Sequence, residues 1–421
     1  MFLRKDTTLL TILLLSILII SFTTSISAQE TVKVGIIHAL TGPNAIMGKN
    51  NLDGCMLAIE IINGEFPDLA FGLAPTAGLP NLNGAKIEPI VANSQGEPEF
   101  GAAEAERLIT LSGVVAIQGA QISGVTKTAS RVAERYQTPF ITACSTAPDL
   151  TERGFKYFFR ASPTDAIFAE NFVTFLEDMN SEKNANIKTI GYVSANSEWG
   201  VGTGAAVVKA AESHGFSVVS DIKWPEATAD LDSEVLILKR DQPDFLLSAI
   251  LASDFLLFAA TAKKLDYNPP GFAGFGGGFY TSMDELGEDG EYFMTRDVFS
   301  LDLLEQIPLL YKVNQMFKER YGRDFNGDSI RSFTTMMALG DAINRAGSTD
   351  KEAIRKALTE TNIPADQLIV TWEGIKFDEK GQNILGQGVI RQMLNGEYKV
   401  IWPFGIATAE IVFPMPKWSE K

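Results

Sequence analysis

The sequence predicts an α/β chain of two similar units, each a parallel sheet sandwiched by helices. Three observations carry this expectation. Short apolar runs of strand length alternate with segments whose apolar residues recur at helical spacing, the signature of strand–helix–strand crossovers. After Phe158-Phe159-Arg160-Ala161 the alternation starts again and runs to a comparable length. Turn-forming residues follow the strands, as in Gly119 to Gly124 and Cys144 to Asp149.

Taken in order, Thr31 to Ala39 is a buried-strand run broken by Leu40-Thr41-Gly42-Pro43, and a helix follows from about Gly48 to Asn63 with Leu52, Cys55, Met56, Ile59 and Ile62 on one stripe. Phe66 to Gly84, rich in Pro, Gly and Asn, reads as an excursion loop. Strand Ile87 to Ala92, helix Glu99 to Leu111, strand Val114 to Ile117, helix Thr126 to Tyr136 and strand Phe140 to Thr142 complete the first unit. If the last two strands are parallel neighbours, the loops after them emerge at one sheet edge, where open α/β sheets bind ligands. Ser123, Ser145 and Thr146 then share that edge with a helix N-terminus, a combination suited to a small anion. The same hydroxyls would also serve as ordinary helix caps and turn residues.

The second unit has helices from Ala166 to Met179, Gly202 to His214, Asp232 to Arg240 and Asp254 to Leu265, interleaved with strands Thr189 to Val193, Ser217 to Ile222, Phe245 to Ile250 and Phe272 to Phe275. The last strand opens onto Gly276-Gly277-Gly278. Further helices are expected over Pro308 to Arg320, Ser332 to Ala346 and Lys351 to Glu360, with short strands near Gly388 to Met393 and Tyr398 to Ile401. Two such units predict a cleft between lobes, the expected site.

The N-terminus reads as a secretory signal peptide over residues 1–28. Arg4 and Lys5 precede an apolar run from Leu9 to Ile20 and a small-residue exit at Ser25, Ser27 and Ala28. No Cys follows the run to carry a lipid, so a soluble exported chain is expected. The formal charge of −16 argues against nucleic acid or an anionic membrane as partner. Cys55 and Cys144 are the only cysteines and are expected as separate thiols; His38 and His214 are the only histidines. That supply is too small for a zinc site or a Ser/His or Cys/His hydrolase, so no catalytic residue, metal or cofactor is expected.

Two local patterns are rejected. Gly200-x-Gly202-x-x-Ala205 with Asp221 imitates a dinucleotide fingerprint, but Ser194 to Trp199 separate it from its strand. Asp324-x-Asn326-x-Asp328 imitates a calcium loop, but Ser329 stands where glycine is needed and Thr335 where glutamate is needed, so an ordinary turn is expected. His38 reads as strand-end structure, and His214 as a residue suited to a helix C-terminus.

Several motifs, in order, are Thr41-Gly42-Pro43, Gly119 with Ser123, Thr142 to Thr146 followed by Pro148 to Gly154, Phe159-Arg160, Ser197-Glu198-Trp199-Gly200, and Phe377-Asp378-Glu379-Lys380-Gly381. As a set they resemble the periplasmic leucine/isoleucine/valine-type substrate-binding proteins of ABC importers, over nearly the whole chain after the signal peptide. The resemblance implies a type I periplasmic-binding fold, a two-lobed Venus flytrap with three hinge crossovers. By that analogy lobe 1 is 29–160 plus 294–369, and lobe 2 is 161–293 plus 370–421. It also implies a monomer in the periplasm that captures a small polar-headed ligand, a branched-chain or other amino acid or a related carboxylate or amide. The implied partner is an ABC permease in the inner membrane; a ligand-sensing receptor subunit of the same fold is the alternative.

Carried over by position, Ser123, Ser145 and Thr146 hold the ligand carboxylate, Met47 lies near its apolar part, and Trp199 covers it from the second lobe. Amino-acid-binding members usually carry an acid, which accepts the ligand ammonium, in the loop that here begins at Gly276. Gly276 therefore marks a departure, and the ligand need not be an α-amino acid, since a buried ammonium without an acceptor is costly. Phe275, Phe279 and Tyr280 are then candidates to contact the ligand body. Glu198 or Asp254 are substitutes for the missing acid, and Arg331 is a weaker candidate to reach the cleft.

Overall fold

The computed structural model describes residues 31–226, 228–276, 282 and 285–420. The first lobe is built on five parallel strands, β1 (Thr31–His38), β2 (Lys86–Asn93), β3 (Ala116–Gly119), β4 (Phe140–Thr142) and β5 (Phe158–Arg160), in the order β2-β1-β3-β4-β5. Its interior strand β1 reads as a nearly unbroken apolar run because helices cover both faces. β3 and β4 are indeed parallel neighbours, pairing Ile117 with Phe140, so the loops after them share an edge. Helices α1 (Ala45–Asn63), α2 (Pro98–Arg107) and α3 (Ser123–Arg135) supply the crossovers.

The second lobe is a seven-stranded sheet, order β14-β13-β10-β9-β8-β6-β7. Its strands are β6 (Thr189–Ala195), β7 (Ser217–Trp224), β8 (Phe245–Ala249), β9 (Phe272–Gly274), β10 (Met294–Asp297), and the antiparallel pair β13 (Val389–Leu394) and β14 (Glu397–Trp402). A small hairpin, β11 (Asn362–Pro364) with β12 (Gly374–Lys376), stands apart. Helices α4 (Asp165–Lys183), α5 (Glu198–Ser213), α6 (Asp232–Asp241) and α7 (Ala252–Lys264) flank the second sheet. Two capped starts are set by local chemistry: Thr164 Oγ1 accepts the Ile167 N–H at 3.1 Å ahead of α4, and Ser197 Oγ accepts the Gly200 N–H at 3.0 Å ahead of α5.

α8 (Pro308–Tyr321), α9 (Gly327–Ala346) and α10 (Lys351–Thr359) return to the first lobe. α9 is buried on nearly every face and lies against α1 so closely that a Cβ on Gly54 would sit 2.0 Å from the Ser329 carbonyl oxygen. Only glycine fits there, and the close approach fixes where α9 begins.

The chain therefore passes between the sheets after β5, after β10 and ahead of β13. The second passage falls later than the expected boundary before residue 294: β10 pairs with β9 and β13 and belongs to the second sheet. The first and third passages are tied by Arg160, whose Nε donates to Gln382 Oε1 at 2.6 Å, and by Asn383, whose Nδ2 donates to the Ala161 carbonyl at 2.9 Å. The 66–84 segment is a loop, but it is no excursion. Leu69, Phe71, Leu73 and Leu79 are buried, with Phe71 against Phe333 of α9 at 5.6 Å between ring centres.

Candidate ligand-binding site

Between the lobes lies a cavity of about 630 Å³. Its first-lobe wall is made by the start of α1, by α3 and the loop before it, by Cys144 and Thr146 after β4, and by the first turn of α9; its second-lobe wall is made by the start of α5, Leu251, Phe275 and Arg296. Ser123, Thr146, Met47 and Trp199 all line it.

α3 begins at Ser123 rather than at Thr126, so Ser123 is in the first helical turn and not in a loop. Ile122 stands at the cap position and has no side-chain acceptor, so the helix opens at the cavity wall uncapped. Ser123 makes no side-chain hydrogen bond among the described residues. A helix start of this kind, with a hydroxyl beside its N–H groups, is a setting for a carboxylate.

Ser145 is not part of the wall. Its hydroxyl is fully buried, 2.6 Å from Thr126 Oγ1 and donating to the Ala120 carbonyl at 2.8 Å, so it ties the β3 and β4 loops together. Alternate residues of the extended loop point to opposite sides, which leaves Cys144 and Thr146 facing the cavity and Ser145 facing the core. Gly276 does not line the cavity either. Its backbone has φ of +85°, and a Cβ there would lie 3.4 Å from Arg296 Nη1. Phe275 is on the wall, whereas Phe279 and Tyr280 lie outside the described residues.

Of the two substitute acids, Glu198 is at the cavity mouth and is held by Lys127 Nζ at 2.6 Å. Asp254 is elsewhere, buried and accepting the Trp224 indole N–H at 2.8 Å. Lys127, on α3, also reaches Asp149 at 3.2 Å, so the two lobes meet across the mouth through one lysine.

Sequence reasoning missed Arg296 and Asp328 in the charged part of the wall, whereas Arg331, the weaker candidate, does reach it. Arg296, on β10, is 3% exposed; its Nη2 is 3.1 Å from Asp165 Oδ1, and its Cζ lies 3.9 Å above the Phe168 ring. Asp165 Oδ2 in turn accepts from Thr146 Oγ1 at 2.7 Å, Trp199 Nε1 at 2.6 Å and Thr203 Oγ1 at 2.9 Å. In α9, which starts five residues before the expected Ser332, Asp328 and Arg331 face the cavity with 3.5 Å between carboxylate and guanidinium. Burial pushes the Asp328 carboxyl up to about 6, partly offset by Arg331. The same burial pushes the Cys144 thiol up to about 12, so it is a neutral, unreactive wall group near both arginines. The expected turn over Asp324 to Asp328 is thus a helix start: Asn326 caps α9 by accepting the N–H groups of Asp328 and Ser329. A capping-box reading of Asn326 with Ser329 would have found it.

Two α/β lobes, one on a parallel sheet and one on a mainly parallel sheet with an antiparallel edge, joined by three strands of chain and with a cavity lined from both sides, define a hinged binding protein. Residues 31–387 match the family model of the periplasmic binding proteins, and the chain belongs to that family. It is similar to Leu/Ile/Val-binding protein homolog 7 of Brucella suis biovar 1, at 26% identity over 92% of this chain and 95% of that one. Among solved structures it is similar to a leucine-binding protein from Thermotoga maritima, with TM-score 0.74 and 21% identity over 88% of this chain and 97% of that one. It also resembles the branched-chain amino acid transporter substrate-binding protein of Streptococcus pneumoniae, solved with isoleucine, with TM-score 0.73 and 19% identity over 91% of this chain and all of the other.

Proposed function

We propose that this protein is the extracytoplasmic solute-binding component of an ABC importer, capturing a small polar-headed ligand between its lobes and presenting it to a permease in the inner membrane. The observation that carries this reading is the division of the wall: Ser123, Thr146 and the open start of α3 come from one lobe, Trp199 and Phe275 from the other. A ligand seated on the first lobe gains the second set of contacts only on closure, and that differential shifts the population to the closed form. The protein turns nothing over, and it works as a monomer in the periplasm after losing residues 1–28. The relatives named for leucine, isoleucine and valine support a ligand with a carboxylate head and an apolar body.

The test is a thermal-shift screen of purified protein against branched-chain and aromatic amino acids, the matching carboxylates and small amides, repeated with Ser123→Ala. Binding of a ligand raises the unfolding temperature by an amount that grows with the logarithm of its excess over the dissociation constant. A ligand in one of these classes, weakened about tenfold or more by Ser123→Ala, is the expected result. Wild-type affinity in that variant removes the site assignment.

A further inference from the structure

We infer that the ligand is a carboxylate with no ammonium on the carbon next to its carboxyl group, and that Arg296 is the residue that sets this choice. This ligand class refines the cleft reading above and stands only if that reading does. Arg296 belongs to the second lobe, yet its Nη2 lies 3.4 Å from Thr146 Oγ1 on the first-lobe wall. Asp165, the Phe168 ring and Thr146 fix its guanidinium in place, and the guanidinium lines the cavity. A carboxylate set against Thr146 and the open end of α3 is therefore also set against a guanidinium, a charge-assisted contact completed by the closing lobe.

The same placement disfavours an ammonium beside the carboxylate. In an α-amino acid the two groups are separated by a single carbon, so a cation touching the carboxylate is within about 5 Å of the ammonium. At an effective dielectric of about 20, and with Asp165 as counter-charge about 3 Å farther off, the net repulsion weakens binding roughly tenfold. At position 276 the backbone offers no carboxylate, and a side chain placed there would meet Arg296.

Among the described residues, the other carboxylates near the cavity are engaged or exposed at its rim. Asp165 is behind the guanidinium and off the cavity wall, taking Thr146, Trp199, Thr203 and Arg296. Glu198 is held by Lys127, while Glu97 and Glu226 are exposed at the rim. Asp328 is the one buried acid on the wall among the described residues, and it faces two buried guanidiniums there, Arg331 and Arg296. Among the described residues, the wall itself presents two guanidiniums and one carboxylate; Asp165 balances Arg296 only from behind it, so a ligand meets the positive end of that pair first, which favours an anion over a zwitterion.

The experiment is titration calorimetry of refolded protein with matched pairs, leucine against 4-methylpentanoate and phenylalanine against 3-phenylpropanoate. At least one des-amino acid is expected to bind about tenfold or more tighter than its amino acid. Arg296→Gln should lose most of that affinity and Arg296→Lys should keep part of it. Because Arg296→Gln leaves Asp165 without its buried cation, the double variant Asp165→Asn/Arg296→Gln is measured beside it, with unfolding curves for each.

Equal or tighter binding of an amino acid overturns the inference while leaving the solute-binding reading intact, and loss of that binding in Asp328→Asn would identify Asp328 as the ammonium acceptor. Binding confined to 4-methylpentanamide or 3-phenylpropanamide overturns it too, since no carboxylate is then read. Silence from every compound, in wild type and Ser123→Ala alike, removes the cleft reading and this one with it.

Discussion

The indole N–H of Trp199 donates to Asp165 Oδ2 at 2.6 Å, the same oxygen that Thr146 reaches from the other lobe at 2.7 Å. Trp199 and Thr146, from opposite walls of the cavity, thus share one buried acceptor, which also balances Arg296. Asp165 is the node that joins the two walls and carries the counter-charge of Arg296.

Removing that node should be costly. Asp165→Ala leaves a buried guanidinium uncompensated, and breaking a buried pair from one side typically costs about 3–5 kcal/mol. Urea unfolding is expected to show a loss of that order, with a smaller loss in Asp165→Asn, which keeps an acceptor. A variant within about 0.5 kcal/mol of wild type would mean that Arg296 finds another partner.

Ser123 and Ser145 should separate cleanly. Ser145→Ala breaks two buried hydrogen bonds and is expected to cost about 1–3 kcal/mol of stability with ligand affinity nearly unchanged. Ser123→Ala is expected to do the reverse. Calorimetric binding and denaturant unfolding on the two variants check this directly, and matching profiles would contradict the placement of Ser145 in the core.

Lys127 bridges the mouth to Glu198 and Asp149. These groups are partly exposed, so the pairs are worth about 0–1 kcal/mol and are screened by salt. Lys127→Met should weaken ligand binding by no more than about fivefold at low salt, and the difference should shrink in 1 M salt. A salt-independent effect would point to a direct ligand contact.

Two buried groups pull the pH dependence of stability in opposite directions. His38, whose Nε2 is 3.1 Å from Gln118 Oε1, is held neutral by burial, its pKa lowered to about 4. Its folded value is below its unfolded one, so its contribution is present above about pH 6.5 and is lost as pH falls toward 4. Asp328 has its folded value raised to about 6, so the folded state binds its proton more tightly, and stability falls as pH rises from about 4 to 6. In the difference between wild type and Asp328→Asn, wild type should lose on the order of 2–3 kcal/mol across that interval. A difference that does not vary with pH would show that Asp328 is solvated or fully paired.

The alternation of strand and helix was legible because each strand and helix carries its own period of apolar residues, independent of what it packs against. β4 from Phe140 to Thr142 was read to the residue. Some helix starts were read late, whereas Asp232 and Lys351 were read to the residue. Ser123, Glu198 and Gly327 all begin helices before the apolar stripe does. β10, Met-Thr-Arg-Asp, was missed entirely because half of it is charged. Its two charges are tolerated in a buried sheet only because Asp165 meets Arg296 and Arg391 meets Asp297, partners that come from distant parts of the chain.

By itself, then, the sequence determined the two-lobed α/β architecture, the shared edge of β3 and β4, and the nomination of Ser123, Thr146, Met47 and Trp199 for the cleft. Local periodicity and turn chemistry suffice for the architecture, the shared edge, Ser123 and Thr146; Met47 and Trp199 came from the family resemblance. Only the tertiary structure decided that Ser145 faces the core, that Gly276 is replaced on the wall by the Arg296 guanidinium, and that Asp328 comes within reach beside Arg331. These depend on which side of a loop a residue presents and on pairing across more than a hundred residues of chain, as Arg296 with Asp165 shows. A side chain's neighbours in space carry no signal in the residues beside it.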